Sequence, residues 1–387
     1  MRKTGSYIVI GNNQYFIPDP LPPANPPLKN DDEMVALYGE AMGHLSKLNE
    51  MARRLPHIEH LVKAYIIKEA QLTSAIENIH TTLLEVFTQP LLESKPTKDT
   101  QLVINYREAL RVACAAIKQE GLPVSSRVIL AAHKALLQGE DYADPGHYRQ
   151  QAVRVGNLVP APPGKVAQLM GELEVYIHNA DVPALIKAGF VHQQFETIHP
   201  FLDGNGRIGR LLIVLLLMEA DLLTEPILYI SYYFKKNRLQ YYHWLDRVRT
   251  HGDFEGWIKF YLTAVQDSSI DAYRRAQDIE DLYHAMKQRI MHDTLSNKLR
   301  EVMLRALNNI FASPVMSINA LRDQLGISYN SAQNIINYYV ACGFLVEITQ
   351  QKRGKLFKFE QYIALLEKEY AYPSTRFAPS GRSGEGE

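Results

Sequence analysis

The chain has 387 residues, 46% of them hydrophobic and 22% charged, and its 42 basic residues are matched by 42 acidic ones. That length suggests two or three domains, and the charge balance excludes a global field that would draw the chain to nucleic acid or anionic lipid. The longest apolar run, Leu211–Met218, is far shorter than the ~20 residues that a bilayer-spanning helix needs, so no membrane partner is expected.

The N-terminal stretch M-R-K-T-G-S-Y-I-V-I-G has neither the apolar region nor the cleavage site of a secretory signal, so a cytoplasmic location is expected. Six prolines between Pro18 and Asn30 predict an extended strap crossing a surface. From Asp31 apolar residues recur three and four apart, and a second such stretch runs from about His60 to Asn78. Helical spacing resumes at Gln101–Lys118 and Val128–Leu137. Between Asp141 and Pro163 the alternation Ala152-Val153-Arg154-Val155, bounded by Gly and Pro, reads as a short exposed hairpin. Helices then dominate to about Leu262, and another helical stretch, Leu282–Phe311, leads to a smaller C-terminal module. The last residues, rich in Pro, Ser and Gly, have the composition of a disordered tail. The two cysteines, Cys114 and Cys342, are expected as reduced thiols, since a chain of this size needs no staple. The fold class is mainly α.

One stretch does not fit a plain buried helix: I-H-P-F-L-D-G-N-G-R-I-G-R-L-L, Ile198–Leu212. Gly204, Gly206 and Gly209 allow close approach of a ligand at the head of an apolar helix, where free N–H groups and the positive dipole end converge. Arg207 and Arg210 add two guanidinium forks suited to phosphate oxygens. Asp203 makes sense beside phosphate if a Mg²⁺ lies between them. His199 can accept a proton near neutral pH and is the natural general base.

His199-Pro200-Phe201-Leu202-Asp203-Gly204-Asn205-Gly206-Arg207, followed by Arg210, resembles the signature H-P-F-x-[DE]-G-N-G-R-x-x-R of the Fic family, with every specified position filled. Pro145–Arg149 with Val153–Gly156 resembles that family's flap hairpin, and the Tyr-rich segment after the signature helix also resembles its counterpart. The resemblance covers roughly residues 20–265. It implies a Fic-type helical core that transfers AMP from ATP to a Ser, Thr or Tyr hydroxyl of a target protein and releases pyrophosphate. His199 would deprotonate the hydroxyl and Asp203 would hold Mg²⁺. Gly204, Asn205 and Gly206 would cradle the α- and β-phosphates, with Gly209 beside them; Arg207 would reach the β-phosphate and Arg210 the γ-phosphate. An extended target segment would pair along Arg154–Asn157. The flap at Val155 and Gly156 would cover the adenine, with Tyr241 or Tyr242 on its other side.

Thr73-Ser74-Ala75-Ile76-Glu77-Asn78 matches [ST]-x-x-x-E-[GN], which resembles an inhibitory motif of the family. The physics is direct: a Glu77 carboxylate paired with Arg210 would occupy the guanidinium that a γ-phosphate needs. The implied division is an N-terminal region 1–97, a catalytic core 98–265, a linker helix 266–298, a winged-helix-like domain 299–370 and the tail 371–387. In that C-terminal module eight Lys and Arg face six Asp and Glu, and its second helix, Ser331–Ala341, carries no basic residue. Phosphate neutralisation there would be thin, so DNA is a weaker expectation than target recruitment or a homodimer. Self-modification is also expected. Rival readings are an ATP-sensing transcriptional regulator, a Fic-fold transferase of another phosphate-containing group, and removal of AMP from a modified target.

Overall fold

The computed structural model describes residues 2–54, 58–349 and 354–370. The expected tail and most of the tip of the C-terminal hairpin lie outside the described residues.

The chain opens on a hairpin that the sequence reading missed, β1 (Gly5–Ile10) paired antiparallel with β2 (Asn13–Pro18). Tyr15 and Phe16 face inward, and Tyr7, Val9 and Ile10 stay exposed. The proline segment follows as a surface strap. Arg2 ties it down: its guanidinium donates to Pro26 O and Pro27 O and pairs with the Glu255 carboxylate.

Helices α1 (Asp32–Arg54), α2 (Ile58–Ile76), α3 (Leu83–Thr88), α4 (Lys98–Lys118) and α5 (Ser126–Leu136) come next. Their starts carry local signals. Thr82 and Glu85 form a reciprocal capping box on α3, and the Thr97 hydroxyl accepts from Thr100 N at the head of α4. After α6 (Pro163–Asn179) come the two central helices, α7 (Ala184–Ile198) and α8 (Asn205–Glu219). Nearly every residue of α8 is buried, which is the expected place for a helix that is apolar all round. Each fully buried Leu or Ile there contributes roughly 1.5–3 kcal/mol. Around this pair pack α2, α4, α5, α10 (Arg238–His251) and α11 (Phe254–His292), with α9 (Ser231–Lys236) against α2.

The structure differs from expectation along α11. It runs unbroken for 39 residues, so the boundary expected near Leu262 falls inside one helix. The break comes instead at Asp293–Ser296, where Ser296 caps α12 (Asn297–Ala312). The C-terminal part continues as β3 (Val315–Ser317), α13 (Ile318–Leu325), α14 (Tyr329–Ala341), β4 (Val346–Glu347), β5 (Leu356–Lys358) and α15 (Glu360–Glu367). Its three strands are antiparallel in the order β3-β5-β4. The architecture is mainly α. No described helix is long and apolar enough to cross a membrane, and Cys114 and Cys342 are free.

Candidate active site

The loop between α7 and α8 is a closed turn built from its own side chains. His199 ends α7 in the left-handed region, φ 50°, with its N–H on Phe195 O. The Asn205 amide bonds both backbone groups of Phe201: Phe201 N donates to Oδ1, and Nδ2 donates to Phe201 O, each at 2.9 Å. Phe201 is fully buried and stacks on His133 with ring centroids 3.6 Å apart. Gly204 then turns the chain at φ 80°, a conformation that disfavours a side chain. The first intrahelical bond of α8 runs from Ile208 N to Gly204 O, so the N–H groups of its opening turn have no helical acceptor.

His133 fixes this loop to the flap. Its Nδ1 accepts from Gly146 N at 2.9 Å, so Nε2 carries the proton and donates to Asp203 O at 3.0 Å. Burial pulls its pKa down to about 4 and keeps it neutral. Sequence reasoning missed His133. The available signal was its place on the apolar face of α5, in step with Val128, Ile129, Ala132 and Leu136.

Arg149 was quoted only as part of a resemblance. It proves to be a buried scaffold: its guanidinium donates to the carbonyls of His199, Gln151, Ala161 and Ile198, and its N–H bonds Pro200 O. It therefore sets the backbone that carries the imidazole. The flap itself is smaller than the expected hairpin. Val155 and Leu158 exchange two backbone bonds around Gly156 and Asn157, and no ladder extends beyond that single bridge. The alternating residues before Val155 find no partner strand.

A cavity of about 590 Å³ opens beside the loop, lined by Glu77, Val155, Gly156, Glu196, His199, Gly206, Arg210, Tyr241 and Tyr242, among others. The His199 side chain is mostly buried, and its Nδ1 lies 3.3 Å from Glu196 O. Burial pulls the imidazole down to about 4, so it is neutral near pH 7 and can accept a proton. Arg210 is buried and held at two of its nitrogens. Its Nε donates to Thr73 Oγ1 at 2.6 Å, and Nη2 donates to Thr73 O and to Glu77 Oε1, the latter at 2.7 Å. A Cβ on Gly206 would lie 2.3 Å from that Glu77 oxygen, so the pair needs glycine there. Asn78 sits at φ 60° just past α2, and its Oδ1 accepts from Arg238.

Arg207 is also buried, but its Nη2 reaches Asp203 at 3.3 Å while Nε and Nη1 have no partner among the described residues. Orphaned guanidinium donors beside the open head of a helix suit an anion. The Asp203 carboxylate accepts from Tyr142 and Gly204 N and remains partly exposed.

The tyrosines divide. Tyr241 is buried, stacks on Phe234 at 4.4 Å and bonds His192 Nε2 at 2.8 Å, so its bulk belongs to core packing. Tyr242 is 40% exposed at the cavity, with the Arg238 guanidinium 5.8 Å from its ring.

Comparison with known families agrees with this geometry. Residues 123–217 match the Fic/DOC family, and residues 35–115 match the Fic/DOC family N-terminal region. The chain is thus similar to the Fic/DOC family over the segment that holds the loop from His199 to Arg210 and over the segment that holds Glu77. Relatives named "Protein adenylyltransferase Fic" are 31% identical over 195 residues in Drosophila grimshawi and 30% identical over 210 residues in Drosophila ananassae. These alignments cover 48% and 52% of this chain but 38% and 40% of those relatives, so this chain spans well under half their length. The fold is shared with a Fic family protein from Desulfovibrio desulfuricans G20, at a TM-score of 0.56 and 22% identity over 86% of this chain and 98% of that one. It is also shared with Fic-1 from C. elegans, at a TM-score of 0.51 and 21% identity over 64% and 74% of the two chains.

Proposed function

We propose that the protein is an adenylyltransferase that moves AMP from ATP to a Ser, Thr or Tyr hydroxyl of a target protein, restrained by Glu77. The observation that carries this reading is the engagement of Arg210 by Glu77 and Thr73 in the cavity that also receives His199. The names of the Drosophila relatives support the reaction class.

In this reading His199 takes the proton from the acceptor hydroxyl. The oxygen attacks the α-phosphorus in line, the bond to the β-phosphate bridging oxygen breaks, and pyrophosphate leaves with that electron pair. The opening turn of α8 and Arg207 hold the phosphates, with binding energy spent on alignment rather than covalent help. Arg149 keeps the His199 backbone fixed during the transfer. The flap edge at Arg154–Asn157 presents backbone groups to an extended target segment, and Tyr242, rather than the buried Tyr241, offers a face to the adenine.

The residues suit Mg²⁺. Among the described residues no cluster of three or more His, Cys, Asp or Glu forms a cage, but Mg²⁺ commonly uses one or two carboxylates, water and substrate phosphates. Asp203 is the carboxylate that would hold it, and the ion would neutralise phosphate charge.

We read residues 1–97, 98–265, 266–298 and 299–370 as functional units, the second and third joined by the continuous α11, with 299–370 forming a winged-helix-like module. Its α14 carries no Lys or Arg, which favours target docking or dimerisation over DNA. A cytoplasmic location belongs to the same reading. Because Glu77 lines the cavity, removal of AMP by a Glu77-oriented water is the second reading.

Incubation with α-labelled ATP tests the proposal. Weak self-labelling is expected, strengthened by Glu77→Gly and abolished by His199→Ala. Equal labelling of all three proteins overturns both assignments. Loss of label from a premodified target that requires Glu77 would select the second reading.

A further inference from the structure

We propose that Glu196 is a positioning residue for His199: its carboxylate holds the imidazole in register and balances the positive charge that the ring gains when it takes a proton. The inference rests on the adenylyl-transfer reading for its kinetic consequences, but the pairing itself can be tested without turnover.

Glu196 stands three residues before His199 at the end of α7 and lines the same cavity. Its carboxyl is only 13% exposed. Two of its oxygens address one ring nitrogen. The backbone carbonyl lies 3.3 Å from His199 Nδ1, and carboxyl Oε2 lies 4.0 Å from it. That arrangement keeps the proton on Nδ1 and leaves Nε2 free to act as base. The other carboxyl oxygen, Oε1, has no hydrogen-bond partner among the described residues. It presses against the second turn of α8, where a Cβ on Gly209 would come within 2.6 Å of it. A buried, unpaired carboxyl oxygen is a cost that structural packing alone does not explain. An imidazolium formed 4.0 Å from the other oxygen, Oε2, would give the buried carboxyl a charge partner, by the logic that places an orienting acid behind a catalytic histidine.

The surroundings make the carboxyl responsive. Burial pushes it up to about 7, Arg210 on α8 pulls it down, and Glu77 beyond α2 pushes it up. His192 on α7 is buried and neutral, and Tyr241 on α10 faces the same pocket. Withdrawal of Glu77 therefore removes a negative neighbour, leaves Arg210 in place and favours the ionised form of Glu196. The contact that blocks Arg210 also weakens the support of the base.

The test compares Glu77→Gly with Glu77→Gly carrying Glu196→Gln, a substitution that preserves shape. Self-labelling turnover should fall roughly tenfold while the KM for ATP stays within about twofold, a modest share of the 10²–10⁴-fold typical of acid–base catalysis. In Glu77→Gly the rate should rise with pH on the acid side of neutrality as Glu196 ionises, and that limb should vanish with Gln. Glu196→Asp should restore part of it. A raised KM with unchanged turnover would place Glu196 on Arg210 instead and overturn the proposal, as would an unchanged pH profile. If Glu77→Gly transfers no label at all, the adenylyl-transfer reading fails separately. NMR titration of ¹³C-labelled histidine then decides the pairing, with the His199 resonance assigned from His199→Ala. Its pKa should drop with Glu196→Gln, and an unmoved His199 sinks the inference.

Discussion

Glu77 Oε1 lies 2.7 Å from Arg210 Nη2, across 133 residues of sequence, and Thr73 one helical turn earlier takes the Nε of the same guanidinium. The side chain of Arg210 is 1% exposed while that of Glu77 is 34% exposed. The arginine is therefore fixed and the glutamate is the partner able to leave. Two residues at the C-terminal end of α2 thus share one arginine, Glu77 by a charge pair and Thr73 by an uncharged hydroxyl acceptor.

That asymmetry predicts graded release. Thr73→Val removes one bond worth about 0.5–1.5 kcal/mol, so self-labelling should rise about two- to tenfold. Glu77→Gln keeps the shape but removes the opposite charge and should release more, since an ion pair adds Coulomb attraction that the hydroxyl bond to the same guanidinium lacks. Initial rates with α-labelled ATP check the order. Greater release by Thr73→Val than by Glu77→Gln would contradict the division of roles.

The two adjacent tyrosines should separate by assay. Tyr241→Phe removes the hydroxyl bonded to buried His192 and should cost roughly 1–3 kcal/mol of stability while barely moving ATP affinity. Tyr242→Ala should leave urea denaturation nearly unchanged and weaken ATP binding by about five- to tenfold, consistent with roughly 1–3 kcal/mol for a base stacked on an aromatic ring. Calorimetric titration together with denaturation distinguishes them. A destabilised Tyr242→Ala with normal affinity would return both residues to packing.

What the sequence made legible was local. The loop from His199 to Arg210 and the Thr73–Asn78 segment each carry their chemistry within a dozen residues, and the structure brings the two segments together at Arg210. What stayed hidden was set by long-range contact. Arg149 is read as a flap residue until its guanidinium is seen to gather four carbonyls from two separate stretches, and His133 looks like one more polar residue in a helix. The N-terminal hairpin was obscured because its apolar residues Tyr7, Val9 and Ile10 face solvent, so β1 lacks the alternation that marks a half-buried strand. The break near Leu262 was misplaced because α11 buries different faces against different neighbours along its length, and its apolar pattern lapses where the helix does not.

His133→Ala should damage the site without touching it directly. The variant loses the stack on Phe201, the bond to Asp203 O and the acceptor for Gly146 N, leaving a half-buried N–H unpaired. Stability should fall by about 2–4 kcal/mol. Turnover in the Glu77→Gly background should fall more than tenfold, because Asp203 and the head of α8 lose their fixed distance from His199. Urea denaturation and single-turnover labelling measure the two effects. Full activity with reduced stability would show that the loop holds its shape without the ring.

The buried imidazoles also fix how the fold answers acid. Burial lowers His192 to about 3, against 6.5 when exposed in the unfolded chain. The folded state therefore binds fewer protons than the unfolded state below pH 6.5, so its contribution is complete above that pH and is lost as pH falls toward 3. Glu69 acts in the opposite sense. Burial raises it to about 8, so its contribution is present below pH 4.5 and lost as pH rises toward 8. Because the two overlap, total stability against pH does not isolate either one, but a variant does. His192→Gln should lose stability outright, through the bond to Tyr241, yet its further loss between pH 7 and pH 5 should be smaller than that of the parent by about 2 kcal/mol. Urea denaturation at the two pH values measures the difference. An equal drop in both proteins would mean that His192 is already protonated in the fold or is reached by water, and its neutral bond to Tyr241 would have to be redrawn.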